Sequence, residues 1–246
     1  MSKLYLKNEL TFSILWIVLY VVLFSVADGI SEDLGTLKIV TAPLGIALTA
    51  MLAGWIAKSG LRDKYGLCLP KTSGGKMLFY LPLAVIASTS LWSGFVMKMS
   101  AIEAALRVVS MLCVGFLEEI LFRGFLFKAM CKTNVKRAVI ISSLTFGIGH
   151  IVNLLSGAEV FSTLMQIVYA VALGFLFTII FLRSGSLIPC ILTHSAINSL
   201  STFGAEPTGT QLIVITVALT AISLGYAAWI IKSTPKSAEM PIQPEQ

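Results

Sequence analysis

Long apolar runs alternate with short polar segments along most of the chain. Eight of these runs approach the length of about 20 helical residues that crosses a hydrocarbon core. The alternating apolar and polar positions of a membrane β-barrel are absent, so helices are the elements that satisfy the backbone groups in lipid. We therefore predict an all-α polytopic membrane protein, an eight-transmembrane-helix bundle with spans at 10–27, 37–57, 77–97, 104–127, 138–155, 160–182, 187–203 and 211–231.

The composition agrees with this pattern. Hydrophobic residues make up 57% of the 246 residues and charged residues only 12%, which excludes an ordinary soluble domain. The net charge of +6 comes from Lys and Arg in short loops, where such residues set membrane topology, and no nucleic-acid partner is implied. No CxxC motif is present, and we interpret the cysteines as structural: Cys68, Cys113, Cys131 and Cys190.

The distribution of basic residues predicts the orientation in the membrane. When alternate loops are assigned to opposite sides, most Lys and Arg fall on one side, which is then cytoplasmic and holds both termini. The opposite loops are acidic or nearly free of Lys and Arg, as in the segment with Asp28, Glu32 and Asp33. A second interpretation stays open: Ser25-Val26-Ala27 could end a cleaved signal peptide, leaving seven helices.

We divide the chain into three parts. Residues 1–100 hold the first three predicted transmembrane helices, and residues 101–203 hold helices four to seven, the part with the candidate chemistry. Residues 204–246 hold the last helix and a polar, proline-containing tail that we expect to be flexible and cytoplasmic.

The fourth predicted span contains ionisable side chains, which are expensive in a membrane and usually functional. Glu119 and Arg123 are spaced i, i+4 and can form an ion pair on one helix face. Glu118 points about 100° away around the helix, so it is the freer carboxylate. Two adjacent acids in a cavity of low dielectric constant should not both ionise easily, and a carboxylate tuned in this way suits general-base catalysis.

Both histidines of the chain also lie in predicted spans. The fifth span contains His150, behind two glycines that permit close approach of a helix or a substrate backbone, and the seventh contains His194 and Asn198 at i, i+4. At the helical rise, His194, Glu118 and His150 lie roughly 10, 14 and 18 Å from the cytoplasmic ends of their spans. These depths are compatible with one water-filled site, although each residue alone could serve helix packing.

The ordered motifs Glu118-Glu119-x-x-x-Arg123, Phe146-x-x-x-His150 and His194-x-x-x-Asn198 resemble the signature of the CPBP family of intramembrane proteases. That family includes the type II CAAX prenyl endopeptidases and the bacterial Abi or bacteriocin self-immunity proteins. The resemblance covers roughly residues 106–201, whereas the remaining helices match only in being hydrophobic.

The resemblance implies an eight-helix bundle whose cavity opens to the cytosol and, laterally, to lipid. It implies that Glu118 and His150 activate a water molecule, while His194 and Asn198 stabilise the oxyanion. Glu119, Arg123 and Phe146 would support the site. Family members are often called metalloproteases, and a zinc ion would be held by Glu118, His150 and His194. Because HExxH is absent, we favour a mechanism without a metal cofactor.

The expected partners are the lipid bilayer and a membrane-associated or lipidated peptide or protein. We expect a multi-pass protein of a cell membrane, with a prokaryotic plasma membrane favoured over the endoplasmic reticulum. Two other functions stay open. One is a noncatalytic bacteriocin-immunity or scaffold protein. The other is a proton-coupled transporter, against which the absence of visible inverted repeats argues.

Overall fold

A computed structural model of the chain describes residues 1–234, and the tail predicted at 235–246 lies outside the described residues. Within the described part no strand is present, and the predicted all-α bundle is confirmed. The α-helices are α1 (Ser2–Lys7), α2 (Glu9–Asp33), α3 (Thr41–Lys58), α4 (Leu81–Ser88), α5 (Ala101–Glu118), α6 (Lys128–Cys131), α7 (Val135–Gly149), α8 (Val160–Ser184), α9 (Ile188–Leu200) and α10 (Gly209–Ser233).

Four stretches of the described residues adopt other helical forms. A π-helix joins α5 to α6 at Glu119–Phe127. Short 3₁₀ segments flank α4 at Gly74–Tyr80 and Thr89–Leu91. A further 3₁₀ segment, His150–Ser156, continues α7. Four of the candidate residues thus lie where regular α-helix ends or changes form: Glu118, Glu119, Arg123 and His150.

Six helical stretches of residues 1–234 are long and apolar enough to cross a membrane: Glu9–Asp33, Thr41–Lys58, Gly74–Leu91, Val135–Ser156, Val160–Ser184 and Gly209–Ser233. The fourth and seventh predicted spans are not among them. The fourth overlaps α5, which contains Glu103, Arg107 and Glu118, and the seventh overlaps α9, which has 13 residues and a length of about 20 Å. The chain is a multi-pass helical membrane protein, and the count of eight spans stays a prediction.

The third predicted span, 77–97, is not a continuous α-helix. Leu78, Phe79 and Tyr80 adopt positive φ values of 48°, 48° and 60°, so regular α-helix begins only at α4. At its other end, the Ser88 hydroxyl donates to a carbonyl oxygen of the preceding turn. Such side-chain bonds compete with the backbone ladder and favour termination. The chain then leaves the helix before Phe95.

The helices pack so that α8 lies between α7 and α10, and α5 lies between α3 and α9. Helix α2 packs along the π-helix, with the ring centroids of Phe12 and Phe125 5.2 Å apart. Phe125 also contacts Tyr65, and the Leu187 amide donates to the Gly66 carbonyl oxygen. Lys64 and Lys132 both pair with the Glu9 carboxylate, so loops 59–73, 132–134 and 185–187 lie at one end of the bundle. We call it the basic end, because the first two loops contain Arg62, Lys64, Lys71 and Lys132.

Candidate functional site

The π-helix places two of the candidate residues in the interior. Arg123 Nη1 donates to Glu119 Oε1 at 3.0 Å, and both side chains are 0% exposed. Glu118, the last residue of α5, keeps 17% of its side chain exposed. The predicted ion pair therefore forms, and Glu118 is the more accessible carboxylate. The i→i+5 bonding of a π-helix is rare and occurs frequently at functional sites.

A glycine permits the close approach of α9 to α5. A Cβ atom on Gly115 would lie 2.6 Å from the Ser195 backbone nitrogen. The Ser195 hydroxyl donates to the Leu112 carbonyl oxygen at 3.2 Å, which holds the two helices in this register. His194, the neighbour of Ser195, is thereby brought against the end of α5.

His194 lies between the two adjacent carboxylates and is 6% exposed. Its Nδ1 atom is 2.9 Å from Glu119 Oε1, and its Nε2 atom is 3.6 Å from Glu118 Oε2. The first distance is a hydrogen bond, whereas the second is too long for one. Because Glu119 is also paired with Arg123, the buried ion pair fixes the orientation of the imidazole ring.

His150 begins the 3₁₀ segment that continues α7, rather than lying within a regular α-helix as expected. Its Nδ1 atom is 3.1 Å from the Phe146 carbonyl oxygen. A carbonyl oxygen only accepts, so Nδ1 carries the proton and Nε2 keeps its lone pair. His150 lies within electrostatic range of Glu118 and His194.

Phe146 occupies the centre of the group. Its ring centroid is 5.4 Å from that of His150 and 5.6 Å from that of His194, both edge to face. The Arg123 guanidinium carbon lies 4.0 Å from the Phe146 centroid. Gly174 of α8 leaves room for this stack, because a Cβ atom there would lie 3.1 Å from Arg123 Nη2. The Phe146 ring therefore contacts both imidazole rings and the Arg123 guanidinium group.

Asn198 is the predicted site residue whose side chain is least connected. It is partly exposed on α9, and its side chain makes no hydrogen bond to the described residues. Among the predicted site residues, the structure thus gathers Glu118, Glu119, Arg123 and His194 closely, with His150 and Phe146 beside them.

A contact with Tyr20 was not predicted from the sequence. The Tyr20 hydroxyl of α2 donates to Glu118 Oε1 at 2.8 Å, and the side chain is 7% exposed. The sequence signal for this contact is the position of Tyr20, a phenol near the middle of the apolar span predicted at 10–27.

A zinc ion was the less favoured alternative, with Glu118, His150 and His194 as its ligands. Within residues 1–234 no group of three or more His, Cys, Asp or Glu side chains could hold a metal ion. Glu118, His150 and His194 thus do not converge as three zinc ligands, each of which would lie about 2 Å from the ion, in the described part of the chain.

Residues 100–200 match the model of one protein family, described as type II CAAX prenyl endopeptidase Rce1-like. This match supports a relationship to the CAAX protease family. The matched segment contains Glu118, His150, His194 and Asn198, whereas Tyr20 lies outside it. No curated protein and no solved structure gives a significant match to the chain. The family supports an intramembrane endopeptidase of the CAAX type in general.

Proposed function

We propose that the protein hydrolyses a peptide bond near the membrane surface, with Glu118 and His150 activating a water molecule. His194 and Asn198 stabilise the oxyanion. The observation that carries this proposal is the convergence of Glu118 and His194 from two helices, with Oε2 and Nε2 3.6 Å apart. A polar separation of this size is one that a water molecule can bridge.

Glu119 sets the proton arrangement of His194. An ionised carboxylate paired with Arg123 only accepts, so Nδ1–H of His194 donates to it. Nε2 must carry a second proton to donate to an oxyanion, so His194 acts as an imidazolium. Two carboxylates, one guanidinium and one imidazolium then balance in charge, which favours their burial as a group.

The reaction needs one proton acceptor and one source of oxyanion stabilisation. Glu118 takes a proton from water while the water oxygen bonds to the substrate carbonyl carbon. The carbonyl oxygen gains the negative charge and accepts from His194 Nε2–H and the Asn198 amide, which are spaced i, i+4 on one face of α9. The C–N bond then breaks, and Glu118 returns the proton to the departing amine.

His150 supports the first step through its free Nε2 lone pair, which can accept a hydrogen bond from the same water. The Phe146 carbonyl oxygen keeps this nitrogen available by holding the proton on Nδ1. The mechanism therefore uses side chains alone, and we propose that no metal cofactor is required.

The substrate class follows from where the site lies. We propose a prenylated or otherwise membrane-associated peptide whose scissile bond reaches the site from the basic end. We also propose that this end faces the cytoplasm of a prokaryotic cell, with both termini there and residues 101–203 as the catalytic core. The dense Lys and Arg content of the basic-end loops fits the positive-inside rule.

Product mapping by mass spectrometry tests the proposal. Purified wild-type protein in detergent is incubated with a farnesylated CAAX peptide and a small set of membrane peptides in heavy-oxygen water. We expect cleavage at one bond, with heavy oxygen in the new carboxyl terminus, and none with Glu118→Ala. Cleavage by Glu118→Ala at the wild-type rate would refute the assignment of Glu118.

A further inference from the structure

Helix α2 contributes the Tyr20 side chain to a site whose other residues lie within 100–200, the part that matches the family model. The Tyr20 hydroxyl donates to Glu118 Oε1 at 2.8 Å, while Glu118 Oε2 faces His194 Nε2. The two oxygens of Glu118 thus have different surroundings. One accepts from α2, and the other points toward the position where the proposed water reacts.

The register of α2 against α5 and the π-helix is fixed on both sides of this contact. Toward the basic end, Phe12 packs on Phe125 with ring centroids 5.2 Å apart. One turn beyond Tyr20, the Phe24 ring and the Cys113 side chain of α5 both lie against Gly45 of α3. A Cβ atom on Gly45 would contact both side chains. The Tyr20 ring itself packs on Phe24 with centroids 4.6 Å apart.

The chemistry of the contact is directional. A phenol that donates to a carboxylate stabilises its ionised form and restricts its rotation. A carboxylate held at one oxygen presents the other in a fixed direction, and misplacing a reacting group by about 1 Å can cost a hundredfold in rate. The environment of Glu118 also contains Glu119 with Arg123, and the imidazoles of His194 and His150.

We propose that Tyr20 is a positioning residue that holds Glu118 Oε1 so that Oε2 faces the reacting water. The inference rests on the proposed peptidase function and extends the site beyond residues 100–200 to α2. It assigns a role to a helix that lies outside the family match.

Steady-state kinetics of Tyr20→Phe test the proposal, since this change removes the hydroxyl and keeps the ring. We expect kcat to fall at least about 10-fold, the value of a hydrogen bond to a charged group, while KM stays within about two-fold. Tyr226→Phe is the matched control, because that hydroxyl donates to the Met77 carbonyl oxygen instead of to the site. Tyr226→Phe should keep the wild-type kcat.

A Tyr20→Phe enzyme with kcat within about two-fold of wild type would overturn the proposal, as would an equal loss in Tyr226→Phe. Infrared spectroscopy tests the contact without activity. The carboxylate band that disappears in Glu118→Gln should shift in frequency in Tyr20→Phe, and an unshifted band would also overturn the proposal. If wild-type protein cleaves no peptide while the band shifts, the peptidase assignment fails and the Tyr20 contact stands.

Discussion

Glu118 and Glu119 are adjacent in the chain but have different surroundings. Glu119 is fully buried and bonded to Arg123 and His194, so it holds the arrangement of the site. Glu118 is partly exposed and keeps one oxygen directed toward His194 Nε2. The sequence predicted this division from the i, i+4 spacing of Glu119 and Arg123, and the geometry agrees. The bond from Tyr20 was missed because it joins residues far apart in the chain.

The two carboxylates should therefore respond differently to amide substitution. Glu119→Gln weakens a buried ion pair and should lower the free energy of unfolding by roughly 3 kcal/mol, because it leaves Arg123 without its counter-charge. Glu118→Gln should change stability far less. Thermal unfolding in detergent measures both. Equal stability losses in the two variants would contradict the difference in their environments.

At the scale of helices, hydropathy located most of the membrane elements but not their internal form. The apolar runs predicted α2, α3, α8 and α10 within a few residues of their observed bounds. The π-helix Glu119–Phe127 has no comparable signal, since α- and π-helices bury similar apolar residues and packing decides between them. The 3₁₀ segment at His150 and the break in the third span likewise depend on neighbouring helices and local hydroxyl bonds.

The contact between α5 and α9 gives a prediction at this scale. Gly115→Ala places a methyl group about 2.6 Å from the Ser195 backbone nitrogen, so α9 must move and carry His194 with it. We expect a loss of about 1–3 kcal/mol in stability and at least about a 10-fold loss in kcat. Gly54→Ala is the matched control, since a Cβ atom there meets open space. Wild-type kcat in Gly115→Ala would contradict the role of this contact.

Retention of α2 is a second prediction at the helix scale. The alternative of a signal peptide cleaved after Ala27 would remove Tyr20 and the buried rings of Phe12 and Phe24. We therefore expect the intact mass of the purified membrane protein to include residues 1–27. A mature protein that begins at Asp28 and still cleaves peptide would contradict a role for Tyr20.

The whole molecule has one basic end, and the predicted topology places that end in the cytoplasm. Single cysteines introduced by Ser59→Cys at the basic end and Glu206→Cys at the opposite end can report this, since both positions are exposed. An impermeant maleimide should label Glu206→Cys in intact cells and Ser59→Cys only after permeabilisation. The reverse labelling pattern would contradict the predicted topology, because it would place the basic end outside the cell.

The native thiol nearest to these loops should interfere little with that labelling. Cys68 is half-buried and donates to the Gly185 carbonyl oxygen at 3.5 Å. Burial raises the pKa of the Cys68 thiol, so less of the reactive thiolate is present at neutral pH. Its labelling rate should increase only at a pH above that needed for an exposed cysteine, which a pH series of maleimide reactions measures.

The most direct test of the proposed mechanism is the turnover of one cleavable membrane peptide by three samples: wild type, Glu118→Gln, and wild type dialysed against a strong chelator. We predict that Glu118→Gln loses at least about 1,000-fold in kcat, because general-base catalysis and water positioning are lost together. We predict that chelation leaves kcat unchanged. Full activity in Glu118→Gln, or activity abolished by the chelator and restored by zinc, would contradict a metal-free reaction with Glu118 as the base.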